Sequence, residues 1–487
     1  MPSCRSKALA AIRAGAEAVP ALAKRVKSGV PARLTVGSRV RVPVLGGGER
    51  RYVNLDNAAS TPPFTGVLKT VNRFSRWYSN VHRGVGFKSR LSSHAFEAAR
   101  DTVARFVRAT PSDVVLFCRN STHAINHVAQ RVDLSGRPVV LVSSMEHHSN
   151  DLPWRRAGQV VHIELDAAGR INEDHFRRLL HQYGPRIGMV AVAGASNVTG
   201  IINPIHRYAR LAHEVGARIL VDAAQLAPHR PIDVRPASDP EHLDFVVFSG
   251  HKIYAPFGVG VLVGPRRVFL ENDPYEVGGG TVDVVNYDAV AWTGLPDREE
   301  AGTPCIVGAI ALAAAIERIQ EIGWAAIAGH ESALTGLALR RLARIPGLTL
   351  YGDTDPARAE ERLGVMAFNL EGRPHALIAA ILSHEWAVGT RSGCFCAQIH
   401  LKHLLGIDEA SARKIQERTL AGDHRDGPGA VRLSIGIYNT GGDIDRIVTA
   451  LEAIAAGNVR GRYRVDVGSG EYHPTGIRYD YSSYYRG

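Results

Sequence analysis

The stretch Ser249-Gly250-His251-Lys252 sets a lysine between two apolar runs, Phe245 to Phe248 and Val259 to Val263. A lysine in a strand-to-strand turn is ordinarily solvated. A buried one is costly unless paired or neutralised. Desolvation lowers its pKa until the amine attacks a carbonyl. The two readings separate only if the chain also supplies holders for a carbonyl compound. Three stretches qualify. Asp222 follows the apolar run Arg218 to Val221 and precedes Ala223-Ala224-Gln225. An acid there is either a helix cap or a partner that keeps a pyridinium nitrogen protonated. Asn120-Ser121-Thr122 opens a helix-like segment, where hydroxyls and free amides cap the helix or hold a phosphate. His147 follows another apolar run, as a plain loop histidine or as a ring that stacks on a flat cofactor.

Taken together, these groups describe one ligand. A phosphate holder, a stacking ring, an acid for a ring nitrogen and an amine for an aldehyde add up to pyridoxal 5'-phosphate.

The elements that carry these residues alternate. From about Ser92 to Val263 the pattern predicts helices at 92–107, 121–132 and 204–216. Strand-like runs begin at Asp113, Pro138, Arg186, Ala217 and Leu243. Strands alternating with helices imply a mainly parallel sheet covered on both faces. The polar residues fall just after the strands, at the carboxyl edge where such sheets bind ligands. From about Ile306 the pattern shifts to long helices (307–323, 331–345, 443–457) and strands near 348–352, 364–370 and 431–440. The fold class expected is α/β: a large domain over 91–305 and a smaller α+β domain from 51–90 and 306–457. A basic extension covers 1–50 and a Tyr/Gly-rich tail 458–487.

Composition sets the outer limits. The 487 residues are 45% hydrophobic and 22% charged, as in a globular protein with more than one domain. No apolar run reaches the roughly 18 residues that span a bilayer. Residues 1–51 hold 11 Lys/Arg against 2 acids, whereas the other 436 residues hold 47 against 45. The body is thus near neutral and gives no argument for nucleic-acid binding. The Ala-rich arm reads as a short amphipathic helix broken at Pro20, and as a solvated or partner-docking extension rather than a transit peptide. Five cysteines at irregular spacing point to a reducing compartment, and a cytoplasmic location is expected.

Several motifs together resemble the class V aminotransferase family of fold-type I pyridoxal-phosphate enzymes, most closely its cysteine desulfurase and selenocysteine lyase branch. They are NLDNAAS (54–60), VHRG (81–84), MEHHSND (145–151), SNVTG (196–200), VDAAQ (221–225), SGHK (249–252), EAGTP (300–304) and YNT (438–440). The resemblance spans roughly Asn54 to Gly457. It implies that Lys252 joins the cofactor aldehyde, His147 stacks on its ring, Asp222 pairs with its nitrogen, and Gln225 and Asn197 contact its ring oxygen. Ser121, Thr122, Ser249 and His251 would hold the phosphate. Thr303 would reach the phosphate of a neighbouring subunit, which implies a homodimer with shared active sites. Arg432 would grip the substrate carboxylate by a two-pronged contact, while Asn57, His82 and Arg391 would lie at the substrate.

The segment Arg391-Ser-Gly393-Cys394-Phe-Cys396-Ala397 fits the desulfurase pattern Arg-x-Gly-x-x-Cys-Ala, whose cysteine sits on a mobile loop. The resemblance implies that Lys252 takes the α-proton of cysteine and that the Cys396 thiolate takes its sulfur and releases alanine. A sulfur-acceptor protein would then follow. Cys394 departs from the usual histidine. It reads as a sulfur relay, a resting disulfide partner or a neutral pocket residue. Cys394, Cys396, His400 and His403 lack a usual zinc spacing, and no metal is expected. A long, helical insert before Arg432 is a second departure, and the GCFC form is also similar to members of unsettled substrate and to molybdenum-cofactor sulfurases. The competing readings are an aminotransferase or another lyase with Cys396 incidental, and a binding protein on a retired enzyme fold. The last would be expected to have lost Lys252 or Asp222.

Overall fold

A computed structural model describes residues 34–487 apart from 83, 426, 477, 478, 486 and 487. The helix expected in the basic arm lies outside the described residues.

A seven-stranded sheet organises the larger part. Its order is Asp113–Cys118, Gly260–Pro265, Phe245–Ser249, Arg218–Asp222, Ile187–Ala193, Val139–Ser143, Gln159–Ile163. Four of the pairings are parallel, and Gly260–Pro265 runs antiparallel to both its neighbours. The central strands are short and apolar because both faces are covered. Val139 and Leu141 pack into one core, and Val140 and Val142 into the other. Ile219 and Val221 likewise oppose Leu220. This is the α/β architecture expected from the alternating pattern.

A second sheet orders Leu348–Leu350, Val365–Leu370, Ala430–Ser434 and Arg391–Gly393, all antiparallel. Helices Trp324–Leu342, His375–Trp386 and Gly441–Ala455 cover it. Thr440 and Asp443 start the last of these with a capping box.

The cores depart from the expected domain boundaries in two places. Phe64, Val67, Val71 and Phe74 join the core of the large sheet, although 51–90 was assigned to the smaller unit. Helix Ile306–Ile322 does the same, packing against helices Phe87–Phe106 and Thr65–Ser75. That helix is apolar nearly all round, so it serves as an interior element of the large core. The smaller core begins at Leu334 and draws in Val53 and Leu55. The insert forms helices Gln398–Leu404 and Glu409–Leu420, the second with no buried side chain. The Tyr-rich tail forms a hairpin, Tyr463–Val465 with Tyr472–Pro474, and docks on the smaller unit. Tyr463 donates to Glu385 at 2.9 Å and Tyr479 stacks on His384 at 5.6 Å.

Candidate active site

Five strand ends converge on a cavity of about 620 Å³ at the carboxyl edge of the large sheet. Ser121, Thr122, His147, Asn197, Asp222, Gln225, Ser249, His251, Lys252, Arg391, Cys396 and Arg432 all line it. The polar residues that follow these strands therefore arrive at one edge, where Arg391, Cys396 and Arg432 meet them from the smaller sheet and its loop.

Lys252 follows Phe245–Ser249 on a single 3-10 turn. It makes no hydrogen bond and no close ion pair among the described residues, and burial pulls its pKa below the usual lysine range. Asp222 and Cys396 oppose that pull, and Arg432 adds to it. Asp222 is buried and accepts from the Ala224 amide at 2.9 Å. Burial raises its pKa, and Lys252 and that amide hold it back. An unpartnered amine beside a buried acid is expensive unless something neutralises the amine.

The helix Ser121–Arg131 points its N-terminus into the cavity. Asn120 caps it, its side chain accepting from the His123 amide at 2.9 Å. Ser249 ties the helix to the lysine strand: its hydroxyl accepts from the Ser121 amide at 2.8 Å and donates to Ser121 Oγ at 3.0 Å. The fit is tight enough to demand glycine at 260, where a Cβ would lie 2.4 Å from the Asn120 backbone. Thr122 meets Ser149 at 2.7 Å, and Ser149 contacts His147 Nδ1 at 3.0 Å, so one hydroxyl chain orients the imidazole. Burial, followed by Lys252, holds His147 down to about 3, a neutral flat ring at ordinary pH. His251 is lowered to about 4 by the same causes.

On the opposite wall, strand register sets Arg391 directly across from Arg432. Like charges at such a pair repel, and Asp56 relieves it by pairing with Arg391 at 2.8 Å and Arg432 at 3.0 Å. Arg432 also donates to the Asn197 carbonyl at 3.0 Å and lies 5.0 Å over the Phe395 ring. Only its Nε remains unpaired. An incoming carboxylate therefore shares or replaces Asp56. Asp56 and Phe395 escaped the sequence reading, because only the strand register brings them to Arg432.

The Cys396 loop is short and held. Asn197 Nδ2 donates to the Phe395 carbonyl at 2.7 Å, and the His148 amide to the Cys396 carbonyl at 2.7 Å. The Ala397 amide closes a turn on Cys394 at 2.9 Å. Phe395 and Cys396 have φ of 55° and 53°, left-handed for two residues with side chains. Strain of this kind gathers at functional sites. Cys396 is exposed and Cys394 half-buried, both at the cavity.

Three expected residues lie off this cavity's lining. Asn57 is buried behind it, holding Tyr438 at 2.6 Å and Asn439 at 3.2 Å. His82 lies 3.8 Å from Asp297 and edge-on to Phe96. Thr303 is exposed. His400 is fully buried beyond the cysteines, lowered to about 3 by burial, with Nε2 unpartnered.

His400 gives a clean test of acid lability, because it lies outside the cavity. Its native pKa is below the unfolded value of 6.5, so below that pH only the unfolded chain gains the proton. Stability is full above about 6.5 and falls by about 1.4 kcal/mol per pH unit on acidification towards 3. In His400→Leu, urea midpoints are expected to fall less steeply below about pH 6.5 than in the wild type. An unchanged slope would refute the assignment.

The class-V aminotransferase family model matches residues 53–447. The chain belongs to that family. Its relatives include a "Probable cysteine desulfurase" of Halalkalibacterium halodurans, 35% identical over 410 residues, covering 82% of this chain and 92% of the relative. A cysteine desulfurase of Haloferax volcanii is 34% identical over 412 residues, 82% of this chain and 89% of the other. Among solved structures, the apo cysteine desulfurase of Thermococcus onnurineus superposes with a TM-score of 0.73 at 29% identity. The superposition covers 83% of this chain and 95% of that one. Enzymes of this family work with pyridoxal phosphate. The residues fit that group: an unpaired buried amine, a buried acid, a neutral ring and a helix N-terminus face one cavity. No helix among the described residues is long and apolar enough to cross a membrane.

Proposed function

We propose that the chain is a cysteine desulfurase that converts L-cysteine to L-alanine and leaves the sulfur on Cys396 as a persulfide. One observation carries this reading: an exposed thiol on a strained loop shares a single cavity with the unpaired Lys252. Bound pyridoxal phosphate supplies an aldehyde for amines and a ring that takes up an electron pair. With it bound, Asp222 would keep the ring nitrogen protonated and His147 would face the ring. Ser121, Thr122, Ser249 and His251 would hold the phosphate, and Gln225 and Asn197 would contact the ring oxygen. Lys252 Nζ takes the proton from the substrate α-carbon. Arg432, with Arg391, orients the carboxylate. The Cys396 thiolate takes the substrate sulfur, so a C–S bond breaks, an S–S bond forms, and a proton goes to the product carbon. Incubation of the pure holoenzyme with a panel of amino acids tests this: L-cysteine is expected to give alanine and, with a thiol reductant, equal sulfide. Keto-acid formation without sulfide would favour an aminotransferase instead.

The enzyme further reads as a homodimer in which Thr303 of the partner subunit reaches the phosphate. Support comes from the hairpin Val282–Val285 with Val290–Trp292, which exposes Val284, Val285, Tyr287 and Val290 beside the Thr303 turn. Such an apolar patch marks an interface. Tyr287→Asp combined with Val285→Asp is expected to shift sedimentation from dimer to monomer and weaken cofactor retention. A wild-type monomer would rule the dimer out. The free state of Cys118, Cys305, Cys394 and Cys396 supports a reducing, cytoplasmic setting. An acceptor protein for the sulfur completes the reading.

A further inference from the structure

Beside the cavity lies a buried acid that no step of the proposed reaction uses. Glu146 is 4% exposed and stands one residue before His147. Its Oε1 accepts from the Ala193 amide at 2.7 Å and from the Ser143 hydroxyl, and its Oε2 accepts from Asn150 Nδ2 at 2.6 Å. All three partners are neutral, and no cation pairs with it among the described residues. Burial pushes its pKa up to about 8, with Asp222 adding to the rise and the three hydrogen bonds holding it back. A buried carboxylate without a cation is costly.

The three partners belong to the frame of the cavity. Ser143 and Ala193 are the last residues of neighbouring parallel strands. Asn150 ends the 3-10 turn His148–Asn150, and its amide donates to the His147 carbonyl at 2.8 Å. Ala193 stands opposite Asp222 in the strand register, and the Gly194 amide donates to the Asp222 carbonyl at 2.8 Å. One carboxylate therefore ties the turn that carries His147 to the strand end beside Asp222. His147, Ala193 and Asp222 line the cavity, whereas Glu146 does not. Fixed donors call for an acceptor at each of its oxygens. Trp154 Nε1 only donates and meets Asn150 Oδ1 at 3.1 Å, so Asn150 turns Nδ2 towards Glu146. The Ala193 amide also only donates. A glutamine here would set its own NH2 against one of these two donors.

We propose that Glu146 is a positioning residue for the cofactor: its two-sided tie fixes the spacing between His147 and Asp222, and hence the slot that takes the pyridine ring. This role rests on the proposed seating of the ring between those two residues, and not on the choice of substrate. The tie acts through hydrogen bonds, so an isosteric exchange that rewires them preserves it. In Glu146→Gln with Asn150→Asp, the new carboxylate accepts from both Trp154 Nε1 and the glutamine NH2, while the glutamine oxygen accepts from Ala193 and Ser143. Glu146→Gln alone leaves two donors facing each other.

The apoprotein of each variant is titrated with pyridoxal phosphate, and the dissociation constant and the visible circular dichroism of the bound cofactor are recorded. Glu146→Gln is expected to raise the dissociation constant by at least about tenfold, the scale of one lost hydrogen-bonded contact. It is also expected to weaken the dichroism, which reports how the ring is held. The double variant is expected to recover most of both. An acid with a purely structural role would lower the thermal midpoint of the apoprotein and leave these two readings unmoved. Unchanged readings in Glu146→Gln, or a double variant no better than the single one, would overturn the proposal. If Glu146→Gln fails to fold, Asn150→Ala, which cuts only the His147 side of the tie, carries the same expectation. His147→Ala and Asp222→Asn test the seating separately. If neither moves the readings while the wild type binds cofactor, the seating is wrong and the tie has nothing to position.

Discussion

Lys252→Ala is expected to lower alanine production from cysteine by at least about 10²–10⁴-fold, the scale of losing a positioned proton carrier. The fall should be larger where the covalent link to the aldehyde is lost too. The side chain lies buried without a hydrogen-bond partner, and burial favours its neutral, nucleophilic form. Lys252→Arg should not restore activity, because a guanidinium stays protonated and cannot attack a carbonyl. Truncation removes an uncompensated buried amine, so the apoprotein's unfolding midpoint is expected to hold or rise. Borohydride treatment of the wild-type holoenzyme followed by peptide mass spectrometry should place the pyridoxyl mass on residue 252. Alanine release within tenfold of wild type in Lys252→Ala, or the label on another lysine, would sink the assignment.

The second large effect belongs to the thiol. Cys396→Ser is expected to cut sulfur release by at least about 100-fold, because a serine hydroxyl is a far weaker nucleophile than a thiolate. Cofactor binding should be unaffected, since the lysine, acid and phosphate holders lie on the large sheet and the cysteine on the smaller one. Cys394→Ser separates the three readings of that residue. A neutral lining residue leaves turnover near wild type, a relay slows release while alanine still forms in the first turnover, and a resting disulfide makes the wild type alone depend on prior reduction. Full, steady alanine production by Cys396→Ser would show that the thiol is incidental.

The carboxyl-edge residues were legible because each follows an apolar run that can only be a buried strand. Lys252, Asp222, His147 and Ser121 meet wherever such strands lie side by side. The substrate wall was less legible. Arg391 and Arg432 are 41 positions apart in the chain, and only strand register makes them neighbours and gives Asp56 its bridging place. The acid in Asn54-Leu-Asp56-Asn57 was in plain view, and its signal was a carboxylate with no assigned cation. His82 and Asn57 show the opposite case. Their motif is present, yet they pack against Asp297 and Tyr438. The boundary near 306 was misplaced because a helix apolar nearly all round has no clear face by which to assign it to either core.

The held turn at Cys396 bears on how far cargo would travel. The His148 amide ties the Cys396 carbonyl and the Asn197 side chain ties the Phe395 carbonyl, so while those two bonds hold, a sulfur carried on Cys396 would move by rotation of one short side chain. Under the proposed function the recipient would then come to the loop, and would present its own thiol on something narrow: a free small thiol, or a cysteine at the tip of a slender loop.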